Sequence, residues 1–114
     1  MNIEDFRSFC LSLGEVEEKM PFGKFARRYD TTLVFYVCGH MFAMCDVDDF
    51  SWVNVRSSSE EITEIIERYP SVIRPINPAL KLWIGFPVNN YVTDDDIRKY
   101  VKRSYEIIRL KYTK

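Results

Sequence analysis

The stretch 33-LVFYVCGHMFAMCDVDDFSWVNVR-56 decides the fold. It holds three runs rich in β-branched and aromatic residues, Leu33–Cys38, Met41–Asp46 and Ser51–Arg56. The breaks between them, Gly39-His40 and Asp48-Asp49-Phe50, are of hairpin length, so the runs are expected to form an antiparallel meander. Within the last run Val53 and Val55 share one face, and Trp52, Asn54 and Arg56 share the other. A further β-type run, Phe25–Tyr29, precedes them across Asp30-Thr31-Thr32. Glycine at the first position of a two-residue turn suits a type II′ hairpin, which would centre the turn on Gly39-His40. That register sets Cys38 opposite Met41, Val37 opposite Phe42 and Val34 opposite Cys45.

The same stretch is the densest in reactive groups. It carries two of the three cysteines, the only histidine, and Asp46, Asp48 and Asp49. Strand geometry separates them. Cys38 and Cys45 would share a sheet face about four strand positions apart, or roughly 13 Å at ~3.3 Å per residue. Zinc–sulfur bonds of about 2.3 Å cannot span that gap, and neither can a disulfide. His40 would project from the turn and the aspartates would ring the far end. The expectation is a hairpin with no metal.

Outward from the meander the pattern turns helical. Asn2-Ile3-Glu4-Asp5 reads as an N-cap with an acidic residue three positions on. Ile3, Phe6, Cys10 and Leu13 then form an inward stripe and Gly14 ends the helix, which makes Cys10 a structural thiol. Ser58-Ser59-Glu60-Glu61 caps a middle helix with Ile62, Ile65, Ile66 and Tyr69 inward, stopped by Pro70. The proline-punctuated segment 71–87 contains one good strand, Leu82–Phe86, and Asn89-Asn90 reads as a turn. Thr93-Asp94-Asp95-Asp96 caps the longest helix, roughly 94–111, so its three carboxylates read as caps at a positive dipole end. On that helix Ile97, Tyr100, Val101, Ser104, Tyr105, Ile107 and Ile108 fill one side. Arg98, Lys99, Lys102, Arg103 and Arg109 gather on the other, with Glu106 among them.

At 114 residues one domain is expected, long enough to bury a core without staples. A 46% hydrophobic content argues for a packed globule rather than a disordered chain. The net charge of −1 gives the whole molecule no pull towards polyanions or acidic membranes. Residues 1–50 carry 5 Lys/Arg against 9 Asp/Glu and residues 51–114 carry 11 against 8, which places any basic face in the second half. No stretch reads as a signal peptide or a membrane span. With an odd number of cysteines, three, reduced thiols and a cytoplasmic location are expected.

No phosphate-binding glycine loop, nucleophile elbow or zinc-helix motif occurs. A single turn histidine leaves no partner for a nucleophilic pair. The expectation is a protein that is not an enzyme and carries no cofactor.

The order of motifs resembles the MmcQ/YjbR family of small bacterial proteins. Pro21-Phe22-Gly23, Phe35–Ala43, Val53–Glu61, Ile73-Arg74-Pro75, Lys81-Leu82-Trp83 and Ser104-Tyr105 carry the resemblance along nearly the whole chain. It implies an α+β fold: a two-layer single domain over residues 1–114, an antiparallel β-meander packed with helices, approximately α-β(3)-α-β(2)-α. That arrangement is similar to secretion-chaperone-like and CyaY-like folds, with Phe25–Tyr29 an additional or irregular strand. The resemblance also implies DNA binding and no catalytic residues. The chain departs from the family pattern in two places. His40 stands where the family often has Lys, and Asn77-Pro78-Ala79-Leu80 supplies no histidine, so a polar site there reduces to Arg74, Asn77 and Lys81.

Two readings follow. In the first, Arg27, Arg28, Arg56, Arg74, Lys81, Trp83, Arg98, Lys99, Lys102 and Arg103 form a basic and aromatic surface that tracks the phosphates of DNA. Each piece also has a plainer reading: a solvated helix face, charge at a strand edge, or a core tryptophan. In the second, the chain is a protein- or peptide-interaction module of the chaperone type, with Trp52, Phe35 and Tyr36 on an uncovered sheet face. A monomer that does not engage membranes is expected in both.

Overall fold

Local side-chain chemistry marks the helix starts in a computed structural model of the chain, which describes residues 1–21, 31–70, 72, 81–89 and 91–113. Asn2 caps α1 (Ile3–Ser12) with a complete capping box, its side chain accepting from the Asp5 N–H while the Asp5 carboxylate accepts from the Asn2 N–H. Ser58 caps α2 (Ser59–Arg68) and Thr93 caps α3 (Asp94–Tyr112), each accepting from the N–H three residues on. The strands are β1 (Glu17–Lys19), β2 (Thr32–Val37), β3 (His40–Asp46), β4 (Trp52–Arg56) and β5 (Trp83–Pro87). They form one antiparallel sheet in the order β1-β2-β3-β4-β5.

The two-layer α+β class expected from the sequence holds. Among the described residues the strands fall four before α2 and one after, against three and two in the implied pattern. The unexpected strand is β1, whose three charged residues carry no apolar alternation and which exists by pairing Glu17–Lys19 with Val34–Tyr36. The expected strand Phe25–Tyr29 and the second half of the Asn89-Asn90 turn lie outside the described residues.

Alternation along the strands sorts the two faces. Leu33, Phe35, Ala43, Cys45, Val53, Val55, Ile84 and Phe86 point into the core, opposite one another in register. All three helices cover this face: Phe6 from α1, Ile62 and Ile65 from α2, and Ile97, Tyr100, Val101 and Ile108 from α3 belong to the same cluster. The Phe6 and Phe35 rings meet edge to face at 5.7 Å, and Phe86 stacks on Tyr100 at 5.3 Å. After α1 the chain passes so close to the Tyr105 hydroxyl that a Cβ at Gly14 would collide with it. Ile66, expected inward, is 38% exposed, because it sits on the flank of α2 turned away from the side that meets α3.

The central hairpin differs from expectation in its turn. Val37 pairs with His40, so the turn is centred on Cys38-Gly39, both with positive φ (54° and 77°) as a type I′ turn requires. That turn's twist matches the strands and places glycine at its second central position. A bulge follows, leaving Phe42 without a cross-strand partner and pairing Phe35 with Ala43 and Leu33 with Cys45. The one-residue slip moves Cys45 from the expected Val34 side to the core side, where it is 2% exposed.

Candidate functional site

Reactive side chains do not converge at the central hairpin. Cys38 is exposed in the turn while Cys45 and Cys10 are buried. Burial pushes the Cys45 thiol up to about 12 and raises Cys10 as well, which keeps both protonated and inert. His40 starts β3 and stacks on Tyr112 at the end of α3, with ring centroids 3.4 Å apart and planes 9° apart. Cys38 Sγ lies 3.4 Å from Thr113 Oγ1. The hairpin tip is thereby fastened to the end of α3. Beside it opens a groove of about 340 Å³ lined by Gly14, Val16, Glu17, Tyr36 and Cys38 among others. At the far end Asp46 is occupied in its own turn. Partial burial works against its ionised form, but hydrogen bonds from the Asp48 N–H, the Thr31 hydroxyl and the Asp49 N–H outweigh it and hold the carboxyl below its ordinary range. Among the described residues no three His, Cys, Asp or Glu side chains gather as metal ligands.

The organised charge lies elsewhere, on the outer surface of the helix layer. Arg103 Nη1 meets Glu61 Oε1 at 3.2 Å, and Arg68 Nη2 meets Asp96 Oδ2 at 3.4 Å. These two ion pairs match the start of α2 to the middle of α3 and the end of α2 to the start of α3, so the helices run antiparallel side by side. The hydrogen bond to Glu61 raises the Arg103 pKa further, so its guanidinium stays charged at every physiological pH. With Ile62 and Ile65 pointing inward, the spacing of α2 turns Glu60, Glu64 and Glu67 straight outward, and all three are exposed. On α3 the same geometry turns out Asp95, Lys99, Lys102, Glu106 and Arg109, all exposed. An acidic stripe on α2 therefore lies alongside a stripe on α3 whose centre, Lys99 and Lys102, is basic and whose flanks carry Asp95 and Glu106.

Of the ten residues expected to form one DNA surface, seven are described, and those seven do not share one face. Arg98 pairs with Asp95 at 3.1 Å and Arg103 with Glu61, so both cations are engaged within the molecule. Lys99 lies 5.4 Å from the centre of the Tyr100 ring, and Lys102 projects freely outward. Arg56 and Trp83 pair across β4 and β5, on the sheet face opposite the helices. Trp83 is 6% exposed, so it packs instead of offering a stacking platform. Arg56 is half-buried, with its Nε shielded from solvent and unpartnered among the described residues. Lys81 is exposed just ahead of β5. Arg27, Arg28, Arg74 and Asn77 lie outside the described residues. The patch expected from Trp52, Phe35 and Tyr36 also separates: Phe35 is core, Tyr36 is half-buried, and Trp52 is 37% exposed.

What sequence reading missed is the acidic stripe. Glu60, Glu64 and Glu67 show the i, i+4, i+7 signal of one helix face, but that signal acquires meaning only once α3 lies alongside. No helix among the described residues is long and apolar enough to cross a membrane.

The fold and the chain both have relatives. The architecture is similar to the crystal structure of a Deinococcus radiodurans protein described as carrying a DUF419 domain. The two share 23% identity over 99% of this chain and 82% of that one, with a TM-score of 0.83. It is also similar to the crystal structure of a Pseudomonas syringae protein, with 12% identity, 94% and 98% coverage and a TM-score of 0.70. At these identities the likeness is one of fold. No curated protein matches the chain. The family model described as YjbR matches residues 11–107. With that match spanning most of its 114 residues, the chain belongs to the YjbR family.

Proposed function

We propose that this chain is a non-enzymatic protein-interaction domain that presents the outer face of its α2–α3 helix pair to a protein surface carrying both signs of charge. The observation that carries this reading is the pair of parallel stripes, Glu60, Glu64 and Glu67 beside Lys99, Lys102 and Arg109. Adjacent helices pack ~8–10 Å apart, and a DNA duplex is broader than that spacing. A duplex laid along α3 would also bring its phosphates to the α2 carboxylates, where like charges repel. A protein partner can match each stripe separately, and such matching steers encounter and sets register. The three free thiols suit a cytoplasmic setting for this role.

DNA binding is the second reading. Lys99, Lys102 and Arg109 favour it, since all three are exposed on one helix face. A fluorescence-anisotropy titration with a short labelled duplex at low salt separates the two readings, because phosphate contacts are strongest there. The interaction reading expects no saturable binding at high micromolar protein. Salt-sensitive saturation that is lost in a Lys99→Glu, Lys102→Glu variant would overturn it in favour of DNA.

A further inference from the structure

The two stripes are complementary to each other as well as to a foreign surface. α2 and α3 are antiparallel and held in register, with Glu61 level with Arg103 and Arg68 level with Asp96. A two-fold axis running between the helices, parallel to them and lying in the plane of the outer face, exchanges their positions while keeping their height. It lays α2 of one copy over α3 of the other, twice. In that arrangement Glu64 comes over Lys99, and Glu60 lies level with Ser104, between Lys102 and Glu106, so Glu64–Lys99 is the main match and its reciprocal contact repeats it. The alternative axis, perpendicular to the helices, would set α2 against α2 and α3 against α3, with like charges opposed at both contacts. Of the two arrangements, only the first keeps the α2 carboxylates off one another and sets them beside the Lys99–Lys102 centre of α3.

We propose that the α2–α3 face mediates self-association with a second copy of this chain, as an isologous two-fold dimer held by reciprocal Glu–Lys contacts. This rests on reading the helix pair as a protein-interaction face, names the partner, and replaces the monomer expected from the sequence. Two helices about 20 Å wide together and ~15–28 Å long offer roughly 400 Å² per copy, about half of a standard interface. The contacts are charged and solvated, each worth little alone. The dimer is therefore transient, concentration-dependent and sensitive to salt. It occupies Lys99 and Lys102, so a polyanion and a second copy would compete for the same groups.

A charge-swap experiment tests this. Sedimentation velocity is run from about 10 μM to about 1 mM, the span over which a sub-standard interface dissociates, at low salt and again at high salt, where the screening length falls to ~3 Å. The wild-type chain is expected to dimerise at the top of the range in low salt, weakening at least ~10-fold in high salt. A Lys99→Glu, Lys102→Glu variant and a Glu60→Lys, Glu64→Lys variant should each remain monomeric, since each opposes like charges. An equimolar mixture of the two should recover a heterodimer, because one copy then presents two acidic stripes and the other two basic ones. Circular dichroism of each variant, and the milder Lys99→Gln, Lys102→Gln variant, separate loss of association from loss of fold. A wild-type chain that is monomeric throughout, association unaffected by salt, or a mixture that stays monomeric would each overturn the dimer. Failure of the underlying reading shows separately, as saturable duplex binding in the anisotropy titration.

Discussion

Ser104 shows what one hydroxyl does at a strand irregularity. The bulge in β3 leaves Phe42 without a cross-strand partner, so its carbonyl must find a donor off the ladder. The Ser104 hydroxyl, 1% exposed on the inner face of α3, donates to that carbonyl at 2.6 Å. Tyr105, the next residue on α3, packs edge to face on the Phe42 ring at 5.6 Å, so the bulge and the helix fix one another. Removing the hydroxyl leaves a buried acceptor unsatisfied. A Ser104→Ala variant is expected to lose about 1–3 kcal/mol in urea unfolding, while an exposed Ser59→Ala change should fall within ~0.5 kcal/mol of wild type. Among residues, those that act over three positions of chain were legible in the sequence: Asn2, Ser58 and Thr93 cap where their spacing says they should. Ser104 was legible only as an inward residue, because its role depends on a bulge 62 positions away.

At the scale of elements, β1 is the informative case. Three residues, Glu17, Glu18 and Lys19, form the edge strand of the sheet among the described residues, too short and too charged to announce itself in the sequence. Besides its pairing to β2, a fork from Arg7 on α1 holds it, with Arg7 Nε donating to Glu18 Oε2 at 2.7 Å and Nη2 to the other carboxylate oxygen. That hydrogen bond from Arg7 holds the Glu18 carboxyl below its ordinary range and outweighs the opposing effect of partial burial. A carboxyl whose folded pKa is depressed contributes stability above its unfolded pKa and loses it as pH falls through the folded value. Melting temperatures of wild type and Glu18→Gln should therefore differ at pH 7 and converge as pH drops below about 4. A gap that persists unchanged at pH 3 would mean the ion pair is not its source. The long helix and the central strands were legible because apolar periodicity is local, as Ile97, Tyr100, Val101 and Ser104 on α3 illustrate. The hairpin turn was displaced by one residue because twist, and not the glycine's position alone, selects the turn type.

Across the whole molecule, the distribution of charge matters more than its sum. Among the described residues that looked like one basic surface in the sequence, those on α3 and the pair Arg56 and Trp83 on the far face of the sheet have the core between them. Two of the α3 cations are spent on Asp95 and Glu61. What remains is a dipolar helix face, and its partner is the matter most open to measurement. A dilution series of ¹H–¹⁵N correlation spectra at low salt, from about 1 mM to about 20 μM, reads both the existence and the location of self-association across the span of weak dimers. Self-association through this face predicts concentration-dependent shifts concentrated at Glu60, Glu64, Lys99 and Lys102 and their neighbours on α2 and α3, abolished by salt. Spectra that do not change on dilution, or shifts centred on the hairpin tip or the far face of the sheet, would contradict self-association through this face.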